Sequence, residues 1–121
     1  MKNGQVVAVY NIIDRFMNDA DMPSDISYAF FRLRKIIENN IEYQVERQNK
    51  LLEKHHGEET DDNFVVFPSD EERKAFDHDV YEFANSDVEL EHFEKIPFRN
   101  DGRCNLSIGE LILLEDFFEY Q

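Results

Sequence analysis

From Asp25 to about His55 the chain contains neither glycine nor proline, the two residues that most readily interrupt a helix. Ile26, Phe30, Leu33, Ile37, Ile41, Val45 and Leu52 recur through this stretch at helical spacing, and Phe31 and Ile36 widen the stripe near its start. The pattern predicts one amphipathic helix, roughly 45 Å long at a rise of 1.5 Å per residue. A helix of that length is the spine on which the remainder of 121 residues must be arranged. After Val45 the stripe thins to Glu46-Arg47-Gln48-Asn49-Lys50, and only Leu51 and Leu52 remain apolar before Lys54. A helix that loses its stripe projects into solvent or meets a partner there. Glu46 and Lys50 stand at the i,i+4 spacing that favours an ion pair.

Local signals place the other elements around the spine. Asn3 is the expected N-cap of a first helix over 4–18, with Val6, Val9, Tyr10, Ile13, Phe16 and Met17 on one face. Pro23 marks a turn, with Ser24 or Asp25 as the next cap. His55-His56-Gly57 reads as a helix stop with Gly57 at C′. Residues 58–63 form a polar acidic loop, and Phe64–Phe67 is a short β-type run closed by Pro68. Ser69-Asp70-Glu71-Glu72 is a capping box. It opens a third helix to about Asn85, with Phe76, Val80, Phe83 and Ala84 on one face. Val88–Phe93 alternates apolar and polar residues, as a half-buried strand does, and Ile96-Pro97-Phe98 extends it only as an edge. Asn100-Asp101-Gly102 is a turn. Ser107-Ile108-Gly109-Glu110 is a second capping box, opening a last helix through about Tyr120 with Ile108, Leu111, Ile112, Leu114, Phe117 and Phe118. The expected product is one mainly α (α+β) domain over 1–121. An antiparallel helix pair carries two further helices and a small two-stranded β element joining 64–67 to 88–93.

Charge divides this chain in two. Residues 1–56 carry 8 Lys and Arg against 8 Asp and Glu; residues 57–121 carry 5 against 19, so the whole net charge of −14 lies in the second part. A neutral helical hairpin thus precedes an acidic half. That charge repels nucleic-acid backbones and anionic membranes and favours basic protein surfaces or cations. With 11 Phe, 5 Tyr and an apolar fraction of 41%, the chain has material for a core. Cys104 is single, so no internal disulfide is implied and a reducing compartment is expected. No apolar run approaches the ~20 residues of a membrane span, and the N-terminal apolar run lacks a signal-peptide cleavage pattern. The expectation is a soluble protein of a cytosol, or one carried in an assembly built there.

Chemistry-bearing patterns are sparse. His78 with Asp77, Asp79 and His92 is the one conceivable metal cluster, but neighbours in a helix point in different directions, and no H-x-x-x-H, H-E-x-x-H or C-x-x-C spacing is present. The carboxylates of 58–62 lack the spacing, glycine and terminal Glu of a calcium loop. Cys104, before a helix and beside Arg103, reads as a reactive thiol or, more simply, as a small buried residue. Arg32, Arg34 and Lys35 form a basic patch too small for DNA. The spacing points to no catalytic residue, no cofactor site and no metal site.

Several pieces together resemble a family of small proteins of unknown function encoded by tailed phages and prophages. They are Asn3-Gly4 leading into Val9-Tyr10-Asn11, then Pro23 followed by Tyr28-Ala29. The long charged helix ending Glu46-Arg47…Lys50-Leu51-Leu52-Glu53-Lys54 follows, and Ser107-Ile108-Gly109-Glu110 opens an apolar C-terminal helix. The segment 55–98 departs most from that pattern. The resemblance implies a small tail-module or virion-assembly protein in the host cytoplasm or the virion, with no catalytic residues to carry over. The expected function is non-enzymatic protein–protein contact with phage structural proteins or copies of itself. The expected contacts are the thin-striped helix end (Glu46, Lys50, Leu51, Leu52, Lys54) and the acidic face of the third helix (Asp70, Glu71, Asp77, Glu82). The alternative is an acidic DNA mimic inhibiting a basic host DNA-binding enzyme of restriction or CRISPR type.

Overall fold

The computed structural model describes all 121 residues. Its elements in order are α1 (Asn3–Met17), α2 (Ser24–Lys54), β1 (Glu58–Glu59), β2 (Val65–Val66), α3 (Asp70–Ala84), β3 (Ile96–Phe98), α4 (Ile108–Leu114) and β4 (Phe118–Tyr120). The mainly α architecture with a small β component is the one the periodicity implies. Pro23 sets the start of α2, which then runs unbroken for 31 residues.

The core forms where α1 lies along the first half of α2. Val6, Val9, Ile13 and Phe16 from α1 meet Ile26, Phe30, Leu33 and Ile37 from α2, and Ile96, Phe98, Leu114, Phe117 and Phe118 close the other side. Phe30 is the hub: Phe16 stacks on it at 5.2 Å, and Phe98 and Phe118 meet it edge-on at 5.8 and 5.5 Å. Beyond Ile37 the long helix is covered less. Ile41 is half-buried, whereas Val45, assigned to the buried face by periodicity, is 57% exposed. Nothing packs over that turn, so spacing alone overstates its burial.

The β pairing differs from the expectation in both halves. Val65–Val66 folds back on Glu58–Glu59 as an antiparallel hairpin, with Glu58 opposite Val66. Thr60 donates its N–H to Phe64 at 2.7 Å, and Asn63 takes a left-handed conformation (φ 64°) that closes the turn. The acidic residues 58–62 are thus part of a local hairpin, which closes at lower entropic cost than a pairing with 88–93. Residues 88–95 belong to no sheet. Ile96–Phe98 instead pairs in parallel with Phe118–Tyr120, so the last helix stops at Leu114 rather than Tyr120. Adjacent Phe117 and Phe118 are both buried, each against a different ring. Unwound, Phe117 stacks on Phe93 at 5.4 Å and Phe118 on Phe98 at 4.6 Å.

Two helix ends are also built otherwise than expected. Lys2, not Asn3, occupies the N-cap of α1, where Gln5 accepts its backbone N–H at 2.8 Å. Asn3 turns inward and is buried. At the C-terminus of α2 the left-handed residue is His56 (φ 58°), and Gly57 follows it. The Gly57 N–H reaches back to Leu52 O at 2.8 Å and His56 N–H to Glu53 O at 3.1 Å, a Schellman closure. Gly57 is needed for space: an added Cβ would sit 2.9 Å from Leu52 Cδ2, 2.9 Å from Phe67 Cε1 and 3.2 Å from Val65 Cγ1. Gly57→Ala should therefore push the β1–β2 hairpin off α2 at a cost of about 1–3 kcal/mol, read as a lower urea midpoint at unchanged m-value.

Candidate functional site

The acidic half is held to the long helix by a charged junction. Ser69 caps α3 by accepting the Glu72 N–H at 3.2 Å. The Glu72 side chain, which a complete capping box would turn back to the cap, goes to His55 instead: His55 Nδ1–H donates to Glu72 Oε2 at 2.9 Å. His55 Nε2–H donates to Asp79 Oδ2 at 2.7 Å, and Lys54 Nζ donates to the same oxygen at 3.0 Å. Both ring nitrogens face carboxylate oxygens, so the full set of contacts is made only when the imidazole is protonated at both. Asp79 first and Glu72 second hold its pKa above the ordinary value, outweighing the opposing effect of burial. Asp79 is held below its own ordinary value, chiefly by His55 and then by Lys54. The imidazole also packs edge-on to Phe76, which meets Phe67, just after β2, at a tilt with ring centroids 5.1 Å apart. With both nitrogens engaged, this histidine is a clasp rather than a free acid or base.

The clasp changes the reading of the α2 end. Leu51, expected to face a partner, is 3% exposed, Leu52 is half-buried, and Lys54 is engaged by Asp79. Leu51 and Leu52, the apolar residues after the thinned stretch, are covered within the chain, whereas 46–50 are exposed. Glu46 and Lys50 do remain exposed. On α3, Glu72, Phe76, Asp79 and Phe83 face α2, while Asp70, Glu71, Asp77 and Glu82 are exposed together with Lys74 and Tyr81. Glu82 pairs with His78 at 3.1 Å on the same helix. His55 was missed because its partners lie elsewhere in the sequence. The available signal was Glu72 and Asp79, seven apart with Phe76 between, on the otherwise apolar face of α3.

A groove of about 850 Å³ runs between the middle of α2 and residues 86–93. Asn3 forms part of its floor through an amide network. Its Nδ2 donates to Phe83 O at 3.1 Å and Ser86 O at 3.3 Å, and its Oδ1 accepts from Asn40 Nδ2 at 3.3 Å. Gln44 Nε2 donates to Asn3 O and to Asn40 Oδ1 at 3.0 and 2.7 Å. The network ties the start of α1, the middle of α2 and the end of α3 together with no buried side-chain polar atom unpartnered. Asn3→Ala strands these groups and should cost about 1–3 kcal/mol, measured by thermal unfolding, with the largest rise in amide exchange at Ser86–Val88.

The remaining candidates resolve structurally. Cys104 is buried in the core, and burial pushes its thiol pKa up. Arg103 turns away to hold Asp25 in a bidentate pair (3.0 and 2.7 Å) and Asp101 at 2.8 Å, pinning the 99–106 loop to the start of α2. The second capping box is complete: Glu110 N–H donates to Ser107 Oγ at 3.1 Å and Ser107 N–H to Glu110 Oε1 at 2.9 Å. Arg15 holds Glu110 below its ordinary pKa. His78 and His92 do not converge, and no three His, Cys, Asp or Glu side chains are arranged to hold a metal ion. No helix is long and apolar enough to cross a membrane. No family model, curated protein or solved structure matches the chain.

Proposed function

We propose that the protein is a non-enzymatic phage or prophage protein that works by protein–protein contact in virion structure or assembly, with its acidic half as the contact surface. The observation that carries the contact is the placement of α3. Its inner carboxylates are spent on the His55 clasp, which fixes the helix, while Asp70, Glu71 and Asp77 face outward without an ion pair within the chain. The hairpin adds exposed Glu58, Glu59, Asp61 and Asp62. A fixed array of negative charge suits a basic protein surface and steers its approach. The groups that nucleophilic or acid–base chemistry would need are occupied: His55 at both nitrogens, Cys104 by burial. The phage origin and the virion setting rest on the resemblance of the helix starts and the long charged helix.

The test is affinity capture of the tagged protein from infected-host lysate, eluted by a salt gradient, beside an Asp70→Lys, Glu71→Lys, Asp77→Lys triple variant. Capsid, portal or tail proteins held by the wild type and lost from the variant are the expected result. A host nuclease or other DNA-binding enzyme that DNA displaces would replace this reading with acidic mimicry.

A further inference from the structure

Residues 89–95 have an unusual standing in this fold. The chain is tied at Val88, whose N–H donates to Met1 O at 2.9 Å, and again at Ile96, whose N–H donates to Phe117 O at 2.8 Å. Between these points no main-chain N–H or C=O takes part in a hydrogen bond within the protein, and the segment contains no turn, bend or helix. Its side chains alternate at the start as a strand's do. Val88 and Leu90 are half-buried, and Glu89 and Glu91 are exposed. The segment lies in no sheet, but its seven consecutive unpaired residues leave main-chain N–H and C=O groups open to pairing, as those of an edge strand are. It borders the groove described above, whose opposite wall is a row of α2 side chains at four-residue spacing: Lys35, Asn39, Tyr43 and Arg47.

We propose that this groove is a strand-addition site for an extended peptide of a partner protein in which apolar residues alternate with Lys or Arg. The inference deepens the contact function above and rests on it. Dimensions support an extended ligand: the α2 row spans roughly 18 Å at 1.5 Å per residue, the length of about five or six strand residues at 3.3 Å each. Main-chain pairing with 89–95 supplies affinity, and alternate side chains supply selectivity, as in other strand-addition sites. Peptide side chains on the inner face meet Tyr43, Phe83 and Leu90. Lys35 and Arg47 stand at the two ends of that wall and disfavour cations there. Side chains on the outer face lie beside Glu89 and Glu91, for which no cation of this chain is an ion-pair partner, and opposite charges across neighbouring strands attract. The same two glutamates repel a second copy of this segment, which selects a basic peptide over self-pairing.

The probe is the blocked hexapeptide acetyl-Val-Lys-Val-Lys-Val-Lys-amide, titrated into the full chain by calorimetry and by amide NMR. The expected result is shifts confined to Glu89–Lys95 and the facing residues Asn39 and Tyr43, with slowed exchange of the 89–95 amides. A peptide N-methylated at alternate residues on its pairing edge should bind at least tenfold more weakly. Glu89→Lys with Glu91→Lys, both at exposed positions, should weaken the lysine peptide at least tenfold and admit its glutamate counterpart. Equal binding of the N-methylated peptide, shifts on α3 and the β1–β2 hairpin, or no binding at millimolar peptide would each overturn the groove. None of these outcomes touches the capture test with the α3 triple variant, so the two readings fail separately.

Discussion

Phe30→Ala should cost this protein about 3–5 kcal/mol, a large share of the 5–15 kcal/mol typical of a domain. Phe30 is fully buried and is the one ring in contact with aromatic side chains from three other parts of the chain: Phe16 of α1, Phe98 of β3 and Phe118 of β4. Truncation opens a cavity between α2 and the parallel β pair, and three partners lose their contact at once. The surrounding wall is itself aromatic and stacked, with Phe98 and Phe118 nearly parallel at 7°, so it cannot collapse inward cheaply. Chemical denaturation should show the midpoint falling in proportion, at unchanged m-value. Phe31→Ala, one residue away but 37% exposed, serves as the control and should cost under about 1 kcal/mol. Equal losses at the two positions would show that the Phe30 hub is not where the two halves of the core are joined.

The second large effect is on pH. The folded His55 pKa lies above its ordinary 6.5, so the stability it contributes is fully present below that value and is lost as pH rises through the folded pKa. Asp79 works in the opposite sense. Its folded pKa lies below the ordinary 3.8, so its contribution is present above 3.8 and is lost as pH falls through the folded pKa. Docking of α3 on α2 should therefore be tightest between about pH 4 and 6.5 and loosen on either side. The alkaline limb matters more here, because a neutral imidazole turns one lone pair toward a carboxylate and α3 has no fully buried residue to hold it otherwise. Amide exchange, corrected for intrinsic rates, should show α3 and the β1–β2 hairpin opening as pH rises above 6.5 while α1 stays protected. His55→Gln, which cannot charge, should flatten that dependence. Parallel opening of α1 and α3 in the wild type would rule out a local clasp.

All four helices were legible in the sequence, three of them with ends within a few residues. The signals involved are local: a 3.6-residue apolar period, Pro23 before α2, Ser69 and Ser107 as caps. Each acts through hydrogen bonds and contacts within one or two turns, so neighbours in sequence suffice to define them. The acidic excess after residue 56 was likewise plain from composition, and its outward display on α3 follows from amphipathicity.

What required the tertiary structure is everything that depends on residues far apart meeting. Phe118 leaves the last helix because Phe98 offers a parallel strand and a stacking partner some twenty residues earlier in the chain. Val65–Val66 takes the near partner Glu58–Glu59, which leaves 89–95 without a strand beside it. Leu51 is buried because α3 returns to cover it, although its own helix looks bare there. The His55 clasp unites a helix end with two carboxylates 17 and 24 residues away, and although Glu72 and Asp79 stand out on the apolar face of α3, nothing in the sequence says that His55 is what they meet. Local propensity settles which segments are helical. Long-range pairing is decided by whether aromatic stacking and charge pairing outweigh the entropy lost on closing the loop, and only the folded arrangement reveals that balance.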